Sequence, residues 1–150
     1  KLMTNVNKLI FETSPSNRYA TFFYGQYDPA TQLLTYVNGG HNPPMIFRDG
    51  EVLRLEEGGP VVGLFKPSRY AQASVQMVSG DVMVIFTDGI SEAMTLADEE
   101  WDEERLIASV RDCWRRPAIE MIDCLIRDAD AFVAGAPQHD DMTIMIVKVL

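Results

Sequence analysis

Short stretches of apolar and β-branched residues dominate the first half of the chain and predict antiparallel strands. Two of them, 18–27 and 32–38, are rich in aromatic residues. The residues between them, Asp28-Pro29-Ala30-Thr31, are typical of a turn. We therefore expect the two stretches to form a hairpin.

Further strands follow the same pattern. Asp49-Gly50 is a common two-residue turn and predicts a second hairpin, whereas the glycines and prolines of 58–67 indicate a loop. Ser79-Gly80 predicts a tight turn between two later strands. The strands predicted in this part of the chain are 45–48, 51–55, 73–78 and 81–87.

Apolar residues at helical spacing predict one helix at 1–12 and two helices after residue 100. Pro117 is placed to start the last helix, and Gly135-Ala136-Pro137 to end it. The apolar stripes are Leu2, Val6, Leu9 and Ile10 in the first helix, Leu106, Val110, Cys113 and Trp114 in the second, and Ile119, Ile122, Ile126, Ala129 and Val133 in the third.

The final stretch, 142–150, is mostly apolar on both alternating faces and predicts a strand buried on two sides. The order is thus a helix, many strands, two helices and a last strand. Most connections between strands are too short for parallel crossovers. A layered α/β protein with antiparallel sheets packed against helices fits this order best.

Charge and composition exclude several classes. The net charge of −9 argues against nucleic acid as a partner, because phosphate backbones favour Lys and Arg. No apolar run approaches the roughly 20 residues that span a bilayer, so membrane insertion by this segment is not expected. Cys113 and Cys124, without a histidine nearby, are interpreted as apolar filler in a reducing cytoplasm rather than as zinc ligands.

Two aspartates adjoin the most apolar strands. The apolar run 82–86 leads into Thr87-Asp88-Gly89, and Gln138-His139-Asp140-Asp141 leads into the last strand. If these strands are antiparallel neighbours, their adjoining ends bring the two carboxylates together. Such carboxylates repel each other unless a cation lies between them, and oxygen ligands favour Mg²⁺ or Mn²⁺. The alternative, that Asp88-Gly89 is only a turn and Asp140-Asp141 only a polar loop, has similar weight on local sequence alone.

Three motifs carry a resemblance to a known family. The segments 36–44 (YVNGGHNPP), 79–93 (SGD, then FTDGISEA) and 138–143 (QHDDMT) resemble its "aGHxPP", "pGD…yTDGvxEa" and "DDxT" motifs, in the same order. Together they are similar to the stage II sporulation protein E-like branch of the protein phosphatase type 2C (PPM) superfamily.

The resemblance implies a four-layer αββα sandwich, with two antiparallel sheets flanked by helices. It also implies two Mn²⁺ or Mg²⁺ ions that activate water to hydrolyse a phosphoserine or phosphothreonine. The expected substrate is a bacterial regulatory protein such as an anti-sigma-factor antagonist, and a sensor domain is expected upstream. Asp88 and Asp140 match the family's metal ligands; Gly89 and Asp141 are weaker candidates for the metal or its surroundings.

One family motif has no match here. The family's first metal-binding hairpin, with its bridging aspartate, would precede residue 1, so we expect a single phosphatase domain at 1–150 that is truncated at its N-terminus. Two aspartates should hold one ion weakly, and we expect little or no phosphatase activity from the 150 residues alone. The alternative is a catalytically silent domain of the same fold that binds and regulates a partner.

The sequence allows two possible roles for each of three other residues. His41 could contact the substrate phosphate or order the Asn42-Pro43-Pro44 loop by hydrogen bonding. His139 could support the metal site or be an exposed loop residue. Glu92 could approach the site or be an acid at the start of a helix.

Overall fold

Four helices and eight strands form within the described residues of the computed structural model, 1–15, 17–138 and 140–150. The strands make two four-stranded sheets, so the mixed α/β class predicted from the sequence is confirmed. In chain order the elements are α1 (Leu2–Thr13), β1 (Phe22–Asp28), β2 (Leu33–Gly39), β3 (Met45–Arg48), β4 (Glu51–Arg54), β5 (Gly58–Gly59), β6 (Ala73–Gln76), β7 (Val82–Phe86), α2 (Asp88–Ser91), α3 (Asp102–Cys113), α4 (Ala118–Val133) and β8 (Ile144–Lys148).

The chain divides into two compact units. Unit 1 comprises Lys1–Pro43 and Arg54–Ser79, and unit 2 comprises Pro44–Leu53 and Gly80–Leu150. Each unit contains one of the two sheets and its own apolar cluster.

The sheet of unit 1 is built around β2. Strand β1 pairs antiparallel with the whole of β2, from Phe22↔Gly39 to Asp28↔Leu33, which confirms the first predicted hairpin. The other edge of β2 pairs with β6 and, in parallel, with the short β5. The sequence pattern did not predict β5. Gly58 permits it, because a Cβ there would lie 1.7 Å from the carbonyl oxygen of Asn38.

The buried face of α1 differs from the predicted stripe. Leu2 and Leu9 are 49% and 63% exposed, whereas Met3 and Asn7 are buried. The Asn7 side chain accepts the Gly63 N–H at 2.9 Å and donates to the carbonyl oxygen of Phe65 at 2.9 Å. A buried amide that satisfies loop backbone groups thus shares the inward face of α1 with Met3 and Ile10, and apolar spacing alone could not reveal it.

The sheet of unit 2 has the strand order β4-β3-β7-β8. Strand β7 is interior, and Val82, Val84 and Phe86 are almost fully buried. The predicted turn at Ser79-Gly80 exists, with Gly80 at φ +94°, but it leads from β6 in one sheet to β7 in the other. Consecutive strands here are therefore not paired with each other.

Helices α3 and α4 belong to the apolar core of unit 2. The predicted face of α3 is confirmed, because Leu106, Val110 and Cys113 are buried. The predicted stripe of α4 is confirmed only in part, since Ala129 is buried and Val133 packs against the core. Ile119 is 66% exposed, and the buried residues are Met121, Cys124, Leu125 and Ala129. No helix within the described residues has both the length and the apolar character needed to cross a membrane.

Strand β8 lies at the edge of its sheet, and only one of its faces is turned inward. Met145 and Val147 are 56% and 38% exposed, so the prediction of a strand buried on two sides is wrong. Ile144 and Ile146 on the opposite face pack against the core. Because the residues on the exposed face are also apolar, the sequence pattern predicted burial on both faces.

A buried ion pair joins β3 to the start of β7. The Arg48 Nε and Nη2 groups donate to the two carboxylate oxygens of Asp81 at 2.8 Å and 2.6 Å. The Asp81 side chain is 0% exposed and that of Arg48 is 35% exposed. The hydrogen bond to Asp81 raises the pKa of Arg48 above its usual value. The two-point contact fixes the guanidinium plane relative to β7.

The two cysteines are free and buried on α3 and α4. Burial, reinforced by the neighbouring Cys124, raises the pKa of the Cys113 thiol to about 12. The thiol therefore stays protonated in the folded state at physiological pH, in accord with its interpretation as an apolar residue of the core.

This raised pKa predicts a loss of stability at alkaline pH. The unfolded thiol ionises near pH 8.5, whereas the folded thiol stays protonated up to about pH 12, so stability falls as pH rises between these values. At pH 10 the loss is expected to be about 2 kcal/mol. Urea unfolding at pH 8 and pH 10 measures it. The Cys113→Ala variant should show a smaller drop than the unaltered chain, and equal drops would contradict the prediction.

Candidate metal and phosphate site

The site forms where β7 and β8 end side by side. The two strands pair antiparallel from Val82↔Lys148 to Phe86↔Ile144. The chain leaves β7 at Thr87-Asp88, and it enters β8 from Asp140-Asp141. The strand neighbourhood predicted from the sequence is thus present, and it brings the two acidic segments together.

Asp88 is the first residue of the one-turn helix α2 and is exposed. Its Oδ1 accepts the N–H of Gly89 at 3.0 Å. One carboxylate oxygen is thereby oriented by the backbone. An ionised carboxylate has further acceptor positions, and these can serve a cation.

Asp140 is held in a similar way on the other segment. Its Oδ1 accepts the N–H of Asp141 at 2.7 Å, and its carbonyl oxygen accepts the Gln138 side-chain amide at 2.7 Å. Both Asp140 and Asp141 are exposed. Within the described residues, no group of three or more His, Cys, Asp or Glu side chains is arranged to hold a metal ion. The acidic pair supplies carboxylate oxygens, the donors that Mg²⁺ and Mn²⁺ prefer.

Gly89 lets the two segments approach closely. A Cβ at this position would lie 2.5 Å from the carbonyl oxygen of Asp141 and 3.2 Å from that of Asp140. The resemblance made Gly89 a weaker candidate for the metal or its surroundings; in the structure the neighbour it approaches is the Asp140-Asp141 backbone.

Thr87 bonds to the same backbone. Its Oγ1 donates to the carbonyl oxygen of Asp141 at 3.0 Å and accepts the N–H of Thr143 at 3.0 Å. Its own N–H donates to the carbonyl oxygen of Thr143 at 3.0 Å. Three hydrogen bonds from one residue thus join the end of β7 to the segment that enters β8.

A cavity of about 360 Å³ opens beside Asp140. Three carboxylates, those of Glu92, Asp130 and Asp140, line it, and none of its described lining residues is basic. The other lining residues are Gly89, Ala93, Met94, Val133, Gly135, Ala136, Pro137, Gln138 and Met142. A phosphate group entering this cavity would be repelled by like charge unless cations lay between the two.

Glu92 follows α2 as its C-terminal cap residue, so it is not an acid at the start of a helix. Because Glu92 lines the cavity, the structure supports the other interpretation, that its side chain approaches the site. Asp130 on α4 was not singled out in the sequence, because an exposed acid on a helix carries no local signal of a neighbouring cavity.

His41 lies in unit 1, and the acidic pair lies in unit 2. Its Nδ1 is 2.8 Å from the carbonyl oxygen of Asn42, and its backbone N–H donates to Asn38 Oδ1 at 2.8 Å. A carbonyl only accepts, so Nδ1 carries the proton of the neutral ring. These bonds agree with the interpretation that His41 orders its loop. His139 lies outside the described residues.

Gly89→Ala is expected to lower the free energy of unfolding by about 2 kcal/mol, because the new methyl group would overlap the Asp141 carbonyl and force the backbone to shift. Urea denaturation measures the change. Gly25→Ala is the matched control, since its nearest neighbour would be a Phe23 ring carbon at 3.2 Å, which can move aside. Equal stability of the two variants would contradict the close approach at Gly89.

Comparison with known proteins gives a consistent result. A family model described as "Stage II sporulation protein E (SpoIIE)" matches residues 1–150. The chain is 28% identical over 130 residues to Protein IcfG of Synechocystis sp., covering 86% of this chain and 20% of IcfG. It is 26% identical over 153 residues to Phosphoserine phosphatase RsbU of Bacillus subtilis, covering 99% of this chain and 44% of RsbU. The chain thus spans less than half the length of either relative.

Solved structures show the same fold. A structure of the PP2C phosphatase domain of SpoIIE from Bacillus subtilis, with a fragment of its regulatory domain, matches with a TM-score of 0.81 at 18% identity. It covers 98% of this chain and 43% of that one. The SiaA-PP2C domain of Pseudomonas aeruginosa matches with a TM-score of 0.76 at 16% identity, covering 98% and 69%.

Proposed function

Because the chain belongs to the stage II sporulation protein E family, we propose that it acts as a metal-dependent serine/threonine phosphoprotein phosphatase domain. The observation that supports the proposal is that the segments of Asp88 and Asp140 adjoin at the paired ends of β7 and β8, with an acidic cavity beside Asp140. The likeness to a relative named as a phosphoserine phosphatase supports the same reaction class.

Asp88 and Asp140 would hold Mn²⁺ or Mg²⁺ through the carboxylate oxygens that remain after each accepts its backbone N–H. Asp141, directly beside Asp140, is the weaker candidate ligand. Bound ions of this kind supply an ionised water as nucleophile and neutralise charge that develops on the phosphoryl group. Two carboxylates are expected to bind one ion weakly, so we expect the 150-residue chain to be inactive or weakly active.

The chain's own residues would orient the reacting groups. Gly89 and Thr87 keep the Asp140-Asp141 backbone against the start of α2. The acidic cavity disfavours a free phosphate anion, so productive entry of the phosphoryl group depends on bound cations.

The proposed substrate is a phosphoserine or phosphothreonine of a regulatory protein such as an anti-sigma-factor antagonist. The test measures phosphate release from that phosphoprotein with Mn²⁺, after chelation, and after Mn²⁺ is restored. The chain of 150 residues and, where the gene encodes more, the full-length protein are compared. We expect Mn²⁺-dependent turnover by the full-length protein. Binding of the partner without any turnover would instead identify a silent regulatory domain.

A further inference from the structure

Thr87 occupies an unusual place in the β7–β8 ladder. By register it lies opposite Thr143, one step beyond Phe86↔Ile144. Residues of a hydrogen-bonded antiparallel pair normally exchange two backbone bonds. Here the Thr87 N–H donates to the Thr143 carbonyl, but the return bond from the Thr143 N–H goes to the Thr87 hydroxyl.

The hydroxyl takes this place because the Thr87 carbonyl is engaged elsewhere. That carbonyl accepts the N–H of Ile90 at 3.0 Å, in the turn that starts α2. The side chain therefore continues the ladder for one more residue while the backbone already turns away. Asp88 stands at this turn, and Asp140-Asp141 leads into the strand opposite.

The direction of the hydroxyl proton is fixed by its two partners. An N–H can only donate, so the hydroxyl oxygen accepts from Thr143 and its proton goes to the carbonyl of Asp141. A threonine just before a helix usually caps it with its side chain. The Thr87 side chain makes no such cap bond, and the Gly89 N–H is instead accepted by Asp88.

From this geometry we propose that Thr87 is a positioning residue, which sets Asp88 and Asp140 at the mutual placement that metal binding needs. The inference rests on the proposed function, because it assigns Thr87 a role toward that same site. Serine can make both hydroxyl bonds. Valine has nearly the same shape and can make neither.

The test uses the 150-residue chain with Thr87→Val and Thr87→Ser. Thr35→Val is the matched control, since the Thr35 hydroxyl bonds Ser74 across two strands of unit 1 at 3.0 Å. Amide hydrogen exchange of Thr143 and Asp141 is measured without metal. The Mn²⁺ dissociation constant is measured by electron paramagnetic resonance, and thermal unfolding verifies that each variant is folded.

In Thr87→Val we expect faster exchange at Thr143 and a Mn²⁺ dissociation constant raised about 10- to 100-fold, the usual effect of removing a group that orients a metal ligand. Thr87→Ser and Thr35→Val should keep values near those of the unaltered chain. If Thr87→Val binds Mn²⁺ as well as the unaltered chain, or if Thr87→Ser fails to restore binding, the positioning role is overturned. If the unaltered chain binds no Mn²⁺, Thr87 has no metal-binding placement to set and the inference is overturned, whereas the proposed function is overturned only if the full-length protein shows no Mn²⁺-dependent turnover.

Discussion

Replacing Asp88 with asparagine is expected to weaken Mn²⁺ binding by the 150-residue chain at least about 100-fold, since the loss of a direct ligand should exceed that of an orienting group. Asparagine keeps the size of the side chain and an oxygen that can accept the Gly89 N–H. The negative charge is removed, and one carboxylate oxygen becomes an amide NH₂ group, which does not bind a cation. Phosphatase activity of the full-length protein should fall on the order of 100-fold or more, equivalent to about 3 kcal/mol of transition-state stabilisation.

Asp112→Asn provides the matched control for Asp88→Asn, because Asp112 is also exposed but lies on α3 rather than on the segments at the paired ends of β7 and β8. It changes the net charge equally and should leave Mn²⁺ affinity unaltered. Titration calorimetry with Mn²⁺ on both variants separates a ligand effect from a general charge effect. Intact metal binding and activity in Asp88→Asn would contradict the role assigned to this residue.

Replacing Arg48 with methionine is expected to lower the free energy of unfolding by about 3 kcal/mol. The substitution leaves the fully buried Asp81 carboxylate without its two guanidinium hydrogen bonds. The estimate lies at the lower end of the range for buried pairs, because Arg48 is itself about one third exposed. Urea denaturation monitored by tryptophan fluorescence measures the loss.

Two further variants show whether the loss comes from the buried charge. Lys66→Met removes a pair with Glu12 whose side chains are 63% and 44% exposed, and it should cost less than about 0.5 kcal/mol. A double variant, Arg48→Met with Asp81→Leu, should regain part of the stability because it also removes the buried carboxylate that has lost its guanidinium hydrogen bonds. A cost in Arg48→Met as small as that in Lys66→Met would contradict the prediction.

The adjacency of the segments that carry Asp88 and Asp140 could be predicted because each aspartate lies within two residues of an apolar run. An apolar run that ends abruptly in Asp-Gly marks the end of a buried strand, and one that starts after Asp-Asp marks the beginning of another. Antiparallel pairing then places these ends together. The assignment of metal ligands needed the resemblance to a family as well, and it stays a prediction.

The buried faces of the helices were harder to predict, since apolar residues occupy more than one stripe. On α4, both the stripe with Ile119 and Ile126 and the stripe with Met121 and Leu125 have helical spacing. The structure buries the second. Which stripe faces the sheet depends on tertiary packing, and local spacing does not contain that information.

The role of Thr87 had no sequence signal of its own. Threonine before Asp-Gly is ordinary for a strand end, and the same residue is a common helix cap. The hydrogen bonds of its hydroxyl with Asp141 and Thr143 arise because its backbone carbonyl already accepts the N–H of Ile90. The same holds for Asn7, whose burial in α1 depends on a loop almost 60 residues further along the chain.

The pairing of β7 with β8 also has a consequence for the timing of synthesis. Asp88 leaves the ribosome 52 residues before Asp140, a delay of about 3–10 seconds at usual rates of translation. Throughout this interval β7 lacks its edge partner and Asp88 lacks the second carboxylate. A nascent chain therefore cannot bring the segments of Asp88 and Asp140 together until β8 has been made and has docked.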